Sequence, residues 1–425
     1  MCFFIKRISL VLFFVFFTTD VVSQNDLTVN SLSFTGLKKT KPELVEKLIN
    51  IEEGGKLDSL QIQNDIIRLK RLPAFSNATY EVNYSESGKA DVVYAFDENF
   101  TIIPGLNIFT TNNGEFAFRA SLFEFNLLGE NMLFGGYYLR DIFNSYGVFW
   151  EAPNIFGRKF GLGLNHVNSV TQEPVFFSTG TINYRYRNNS FEVSLLFQPN
   201  FNNRFELGVS YVDEAYDFVD GDLLNVIPKT VEGDKLQYRL EYEFNNVNLE
   251  YQNLSGIKSN LNFRIVGESN ELLNSFLIAR NDFTYYKRIG ERGNWASRFR
   301  LAIATNGDTP FAPFAVDNNL NIRGVGNTID RGTAATILNT EYRHTLFEKN
   351  WFVLQSNTFI DAGSWRNPGG DLNELFDGNN LRVYPGLGVR FIHKRIFNAV
   401  FRLDYGYGIT DNGTNGIVFG VGQYF

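Results

Sequence analysis

Apolar and polar side chains alternate with a period of two through most of this chain, most plainly at its C-terminal end. Between residues 396 and 407 the odd positions carry Phe397, Ala399, Phe401, Leu403, Tyr405 and Tyr407. From 398 on, the even positions carry Asn398, Arg402, Asp404 and Gly406, with Val400 alone out of step. A period of two is that of a β-strand with one apolar and one polar face. The final stretch repeats it, with Ile417, Phe419, Val421 and Phe425 on one face and glycines opposite, and the chain stops on an aromatic residue. Strands of this kind suit a closed membrane barrel, with lipid outside and a polar lumen inside.

Composition agrees. Aromatic residues make up 16% of the 425, with 43 Phe and 20 Tyr, enough for aromatic girdles at both membrane interfaces. A hydrophobic content of 44% and a mean hydropathy of −0.17 exclude a helical membrane protein. Beyond the N-terminus no apolar run approaches the roughly 20 residues of a spanning helix. The net charge of −7 and a pI near 5.3 argue against nucleic acid as a partner.

Residues 1–23 read as an export signal, with Lys6 and Arg7 as the basic region and residues 8–17 as the apolar one. Val21 and Ser23 suit the −3 and −1 cleavage positions. A lone membrane anchor is the alternative, against which the short apolar region counts. Cys2, the only cysteine, precedes the apolar region, so the processed chain would carry no disulfide and no thiolate metal site.

Residues 25–99 show a different rhythm. A strand from Leu27 to Phe34 ends at Gly36. Thr40 can then cap a helix with Pro42 in its first turn and Leu44, Val45, Leu48 and Ile49 as its apolar stripe. Asp58 opens a second helix, and strands follow at 79–84 and 91–96. The order β-α-α-β-β, with FTGLKKT, LDSLQIQNDIIRLKRLPAF and a closing VVYAFDE, resembles a POTRA domain, the periplasmic polypeptide-binding module of outer-membrane assembly and transport proteins. The residues alone suit a generic α+β domain equally well.

Residues 100–425, at about 20 per strand with its connection, predict sixteen strands of ~9–11 membrane-spanning residues each. The first lies near 101–109, one long strand covers 233–251, and the last two lie near 396–409 and 416–425. An even count puts both barrel ends on the periplasmic side, with short turns there at 126–129, 153–157 and 199–202. The fold class is therefore mainly β: an N-terminal α+β domain followed by a 16-stranded antiparallel transmembrane barrel.

Between about 305 and 332 lies NGDTPFAPFAVDNNLNIRGVGNTIDRG, with Pro310, Pro313 and a glycine-flanked Arg323. It is too irregular for a strand and long for a connection, a length that usually carries function. In the strand after it Asn339, Glu341 and Arg343 share a face, and in the next Gln355, Asn357 and Asp361 do. Glu341 and Asp361 thus point into the lumen from neighbouring strands. An arginine fork is the natural counter-charge for two such carboxylates. Arg323 either folds inward onto both or stays exposed above solvated carboxylates.

The strings IRGVGN, LNTEYR, FIDAGSW, LRVYPGLGVRF and FRLDYGYGI occur in the order of the BamA/TamA family, which the chain resembles over residues 25–425. NLLGEN and APNIFG resemble that family's early barrel turns. The resemblance implies an inward sixth extracellular loop with an R-G-[FY] tip, here Arg323–Gly324, locked on Glu341 and Asp361. The chain departs from the pattern at Val325, where an aromatic is usual.

Two further patterns concern the closing strands. Gly386/Gly388, Gly406/Gly408 and Gly420/Gly422 each form G-x-G on a lumen face, either a side-chain-poor shelf for the long loop or a device for curvature. In the first strand Pro104 and Gly105 weaken pairing with the last, so that Pro104, Gly105, Gly420, Gly422 and Phe425 mark a lateral seam. A poorly paired seam offers edges to another strand.

Enzymatic chemistry is not expected. There is no G-x-S-x-G, H-E-x-x-H or phosphate loop, and His166, His344 and His393 lie on separate strands. No catalytic residue, metal or cofactor is predicted. The leading expectation is an assembly and insertion factor in the outer membrane of a Gram-negative bacterium. Its periplasmic module would capture unfolded or extended client polypeptides, and its seam would aid their insertion. The alternatives are a translocation pore of the two-partner secretion type and a passive channel. Expected partners are outer-membrane lipid, client polypeptides, and periplasmic or lipoprotein accessory subunits. A single POTRA points to an accessory or specialised role.

Overall fold

The computed structural model describes residues 27–425 except 86–87, 111–115, 178–179, 222–227, 270–272, 307–313, 316–320, 327–330, 398 and 412. The export signal expected at 1–23 lies outside the described residues, as do Pro310 and Pro313.

The N-terminal module runs β1 (Thr28–Thr35), α1 (Pro42–Leu48), α2 (Ser59–Lys70), β2 (Phe75–Tyr84) and β3 (Lys89–Glu98). Its sheet order is β1-β3-β2, with β3 parallel to β1 and antiparallel to β2. Parallel pairing needs a long crossover, which the two helices supply. Val29, Leu44, Val45, Leu48, Ile62, Leu69, Phe75, Val92 and Tyr94 form one buried core between helices and sheet. Asp58 caps α2, accepting from the N–H groups of Leu60 and Gln61 at 2.9 and 3.1 Å. Thr40 does not cap α1. Lys41 holds that position without a side-chain bond, and Pro42 follows, needing no N–H partner. Thr40 is instead drawn off by the barrel: its Oγ1 accepts from Asn126 Nδ2 at 3.0 Å.

All the remaining strands but two close into one barrel; the short strands Phe314–Ala315 and Arg331–Gly332 pair with each other in the long segment. Sixteen are present: Ile102–Thr110, Phe116–Leu127, Met132–Arg140, Asn144–Ala152, Phe160–Phe177, Gly180–Asn200, Asn203–Asp220, Thr230–Asn245 with its continuation Asn248–Glu250, Asn253–Val266, Phe276–Ile289, Gly293–Ala304, Ala334–Lys349, Phe352–Arg366, Leu381–His393, Val400–Tyr407 and Asn415–Val421. Closure is what lets strands cross lipid, because an open edge there would leave main-chain groups unpaired. The faces follow the alternation. Phe401, Leu403, Tyr405, Leu338, Ile360 and Val389 are exposed outside, while Arg402, Asp404, Asn339, Glu341, Asp361 and Arg390 are buried within.

Three expected boundaries shift. The strand read at 233–251 breaks at 246–247. There Gly256 of the partner strand, at φ +119°, lies so close to Asn246 that a side chain would collide with it. The strand read from 396 begins at Val400, and the last ends at Val421 rather than at the terminus.

The module sits against three successive barrel turns. Lys41 N–H donates to Gly129 O at 3.0 Å, and Lys47 Nζ reaches Asn154 O at 3.3 Å. Arg71 Nη1 donates to Asn202 Oδ1 at 2.9 Å and Asn245 O at 2.8 Å, while its guanidinium covers the Phe201 ring. Burial raises the pKa of Glu98, but the N–H groups of Lys39 and Thr40 outweigh it and hold the carboxyl below its ordinary range. Arg71→Ala removes two of these bonds, each worth about 1 kcal/mol. Limited proteolysis between module and barrel should then run several-fold faster, with the barrel's heat resistance unchanged.

Candidate functional site

Residues 321–325 of the long segment are buried inside the barrel. Ile322 and Val325 take them there, packing with Ala302, Ala335, Ile337, Trp365 and Tyr384. Val325 shares this cluster with the wall residues Trp365 and Tyr384. Asn339 Nδ2 donates to Asn321 O at 2.8 Å, and Thr414 Oγ1 donates to Val325 O at 3.0 Å. Gly324 adopts φ +91°, a region that disfavours side chains. A Cβ there would lie 2.6 Å from Gly406 O.

This backbone places Arg323 against the lumen wall, with no exposed surface. Its Nε and Nη2 donate to Asp361 Oδ2 and Oδ1 at 2.8 and 2.9 Å, and its Nη1 donates to Glu341 Oε2 at 2.7 Å. Its own N–H adds a third bond to Asp361 at 3.0 Å. The guanidinium stacks 3.6 Å from the centroid of Phe359 and 4.4 Å from that of Tyr424. Both carboxylate partners have fully buried side chains.

Burying so much charge is tolerable only where each group is paired. Glu341 Oε1 also accepts from Arg343 Nε and Arg390 Nη2, each at 2.5 Å. A third carboxylate, Asp404, lies 3.7 Å from Arg323 Nη1, and accepts from Arg402 and Asn357 at 3.1 Å each. The cluster is therefore four guanidinium groups around three carboxylates.

Of the residues read from the sequence, Arg323, Gly324, Glu341 and Asp361 come together. Asp404, Arg390, Phe359 and Tyr424 were missed. The alternation put Asp404 and Arg390 on lumen faces, but nothing in it says how far a side chain reaches across neighbouring strands. The glycine shelf is narrower than expected. Among the described residues only Gly406, aided by Gly416, meets the loop backbone, at Arg323 and Gly324. Gly386 makes room for the Phe359 ring, Gly388 for Asn357 and Asp404, and Gly420 for the Arg402 guanidinium.

Among the described residues the seam joins Ile102–Thr110 to Asn415–Val421 through one registered pair, Ile108 with Phe419. The neighbouring hairpin is registered over seven pairs, from Phe401–Val421 to Tyr407–Asn415. Phe125 N–H donates to Thr101 O, so odd residues of the first strand turn their main-chain groups to the second strand and even residues turn theirs to the seam. Pro104 therefore has its missing N–H on the seam edge. Gly105 faces the other way and makes room for the Ser121 hydroxyl. The foot of the seam is stitched differently: Phe100 N–H donates to Arg395 O, Phe397 N–H donates to Phe100 O, and the Phe125 and Phe397 rings lie 4.9 Å apart. Phe425 is not at the seam. The chain turns inward at Gly422, and Phe425 packs in the lumen beside Leu254, Tyr286 and Ala296.

Residues 27–99 match the family model described as "POTRA: Surface antigen variable number repeat". No curated protein matches the chain in sequence. The fold is similar to that of BamA from Haemophilus ducreyi lacking POTRA domains 1–3, at 14% identity and a TM-score of 0.55, over 93% of this chain and 84% of that one. It is similar to CdiB from Escherichia coli at 11% identity and a TM-score of 0.64, over 93% and 76% of the two chains. CdiB from Acinetobacter baumannii gives 11% identity and a TM-score of 0.61, over 94% and 74%. Identities this low speak for the fold and not for a shared activity. Residues 27–99 are thus a POTRA domain, and the chain as a whole has the fold of BamA and CdiB, a single POTRA followed by a closed sixteen-stranded antiparallel barrel.

Proposed function

We propose that this chain is an outer-membrane polypeptide-handling barrel that assists insertion of client proteins. The observation that carries the reading is the seam, with its single registered pair and its proline edge. Unpaired strand edges template further strands by main-chain hydrogen bonding. The POTRA domain, on the periplasmic side, would hold an extended client near the foot of that seam. Its own sheet offers β2 as an open edge, since β3 is central. Folding of the client and the lipid environment supply the driving force. Accessory subunits would dock on the POTRA.

A second reading, a translocation pore of the two-partner secretion type, draws on the lumen. Against the wall opposite the lock lies a cavity of about 390 Å³, lined by Asn165, Glu192, Arg239 and Arg264. In that reading the Arg323 segment is a plug that moves. A passive channel needs neither movement.

Two disulfide pairs separate these readings, and with Cys2 as the only native cysteine no other thiol interferes. Ile108→Cys with Phe419→Cys ties the seam; Val325→Cys with Thr414→Cys ties the loop tip to the wall. In a client-assembly assay the seam disulfide should abolish activity and the loop disulfide should spare it. The reverse pattern favours the secretion pore. Full activity with both disulfides formed would reject both.

A further inference from the structure

The last ladder bond of the closing strand is Gly422 N–H to Val400 O at 2.7 Å. Gly422 then takes φ +95°, and the final three residues leave the wall for the lumen. There Phe425 packs beside Leu254, Tyr286 and Ala296, and the three residues meet a set of arginines. Arg390 Nη1 donates to Gln423 Oε1 at 2.5 Å. The Tyr424 ring lies 4.4 Å from Arg323, 4.9 Å from Arg402 and 5.5 Å from Arg298, measured from ring centroid to guanidinium carbon. The Phe425 ring lies 5.5 Å from Arg298 and 5.7 Å from Arg343. Aromatic faces attract cations in this range, more strongly away from water.

The same arginines hold the loop. Arg390 bridges Gln423 and Glu341, and Glu341 bridges Arg390 and Arg323. A continuous hydrogen-bonded path thus runs from the end of the closing strand to the tip of the loop. Tyr424 makes a second path by stacking directly on Arg323. The closing strand is also the weakly paired side of the seam.

We infer that Gln423–Tyr424–Phe425 is a pin: an aromatic segment bound in cis by the arginine cluster, which makes the loop lock and the seam one cooperative unit. Withdrawal of the tail would strip Arg323 of a stacking partner. Release of Arg323 would loosen the tail, and with it the closing strand. The arrangement holds whether the barrel inserts or secretes its client, so it stands apart from the function proposed above. If the tail merely fills space, lock and seam respond independently.

A double-mutant cycle on the full chain folded into lipid vesicles distinguishes these. Spin labels at Leu106 and Ile417, both exposed on the outer face of the two seam strands, report seam width. Heat-induced loss of the compact gel form reports unfolding. Arg323→Ala and Tyr424→Ala should each widen the seam distance distribution and speed unfolding about tenfold, and the double variant should go no further. Tyr424→Phe, which keeps the ring stacked on Arg323, should change both readouts less than Tyr424→Ala. Additive effects in the double variant, or an unchanged seam distance in Tyr424→Ala, overturn the pin. Should Tyr424→Ala fail to assemble, Tyr424→Leu keeps the bulk without the π face and carries the same two expectations.

Discussion

Arg323→Ala is expected to lower the stability of the barrel by roughly 3–5 kcal/mol, the usual result of removing one partner from a buried ion pair. Asp361 loses both guanidinium bonds and, among the described residues, keeps only a main-chain N–H. Glu341 retains Arg343 and Arg390, and Asp404 retains Arg402, so the loss concentrates on Asp361. The temperature at which the folded gel form disappears is the measure. Asp361→Asn added to Arg323→Ala should recover part of the loss, because it removes the carboxylate left uncompensated. Arg323→Lys should recover less than its charge suggests, since an ammonium cannot bridge two carboxylates with a planar fork. An unshifted melting temperature in Arg323→Ala would end the lock as a structural device.

Gly406→Ala is expected to unlock the loop without touching any charge. A Cβ at Gly406 would fall on Arg323 O and within 3.2 Å of Gly324 Cα, all of it main chain. Main chain on both sides cannot give way as a flexible side chain does, so the tip must lift or the strand must bend. Overpacking of this kind costs about 1–3 kcal/mol. Protease sensitivity of the 305–332 segment should rise together with the fall in melting temperature. Gly378→Ala, where a Cβ meets nothing within 4 Å, is the neutral comparison. Equal behaviour of the two alanine variants would mean that the tip does not rest on Gly406.

These variants probe one cluster from two sides, charge and volume, and the tail cycle probes it from a third. The loop tip and the tail share the same arginines.

Much was legible in the residues. The period of two determined which side chains face oil and which face the lumen, because successive strand residues must point to opposite sides. It therefore gave the phase of Glu341 and Asp361, and one glycine of the G-x-G pairs, Gly406, does lie against the loop backbone. Pro104 announced a weak edge, because a residue without N–H cannot complete a ladder. What alternation cannot encode is distance across a closed surface. Strand tilt and stagger decide that, and they brought Asp404 to the Arg323 guanidinium and Arg390 to its partner Glu341, both far apart in sequence from Arg323. Thr40 looked like a helix cap until Asn126 of the barrel supplied a competing partner. Phe425 looked like one more outward residue of the last strand. A single glycine at φ +95° reversed that, since a main-chain turn overrides any periodicity of the side chains beyond it.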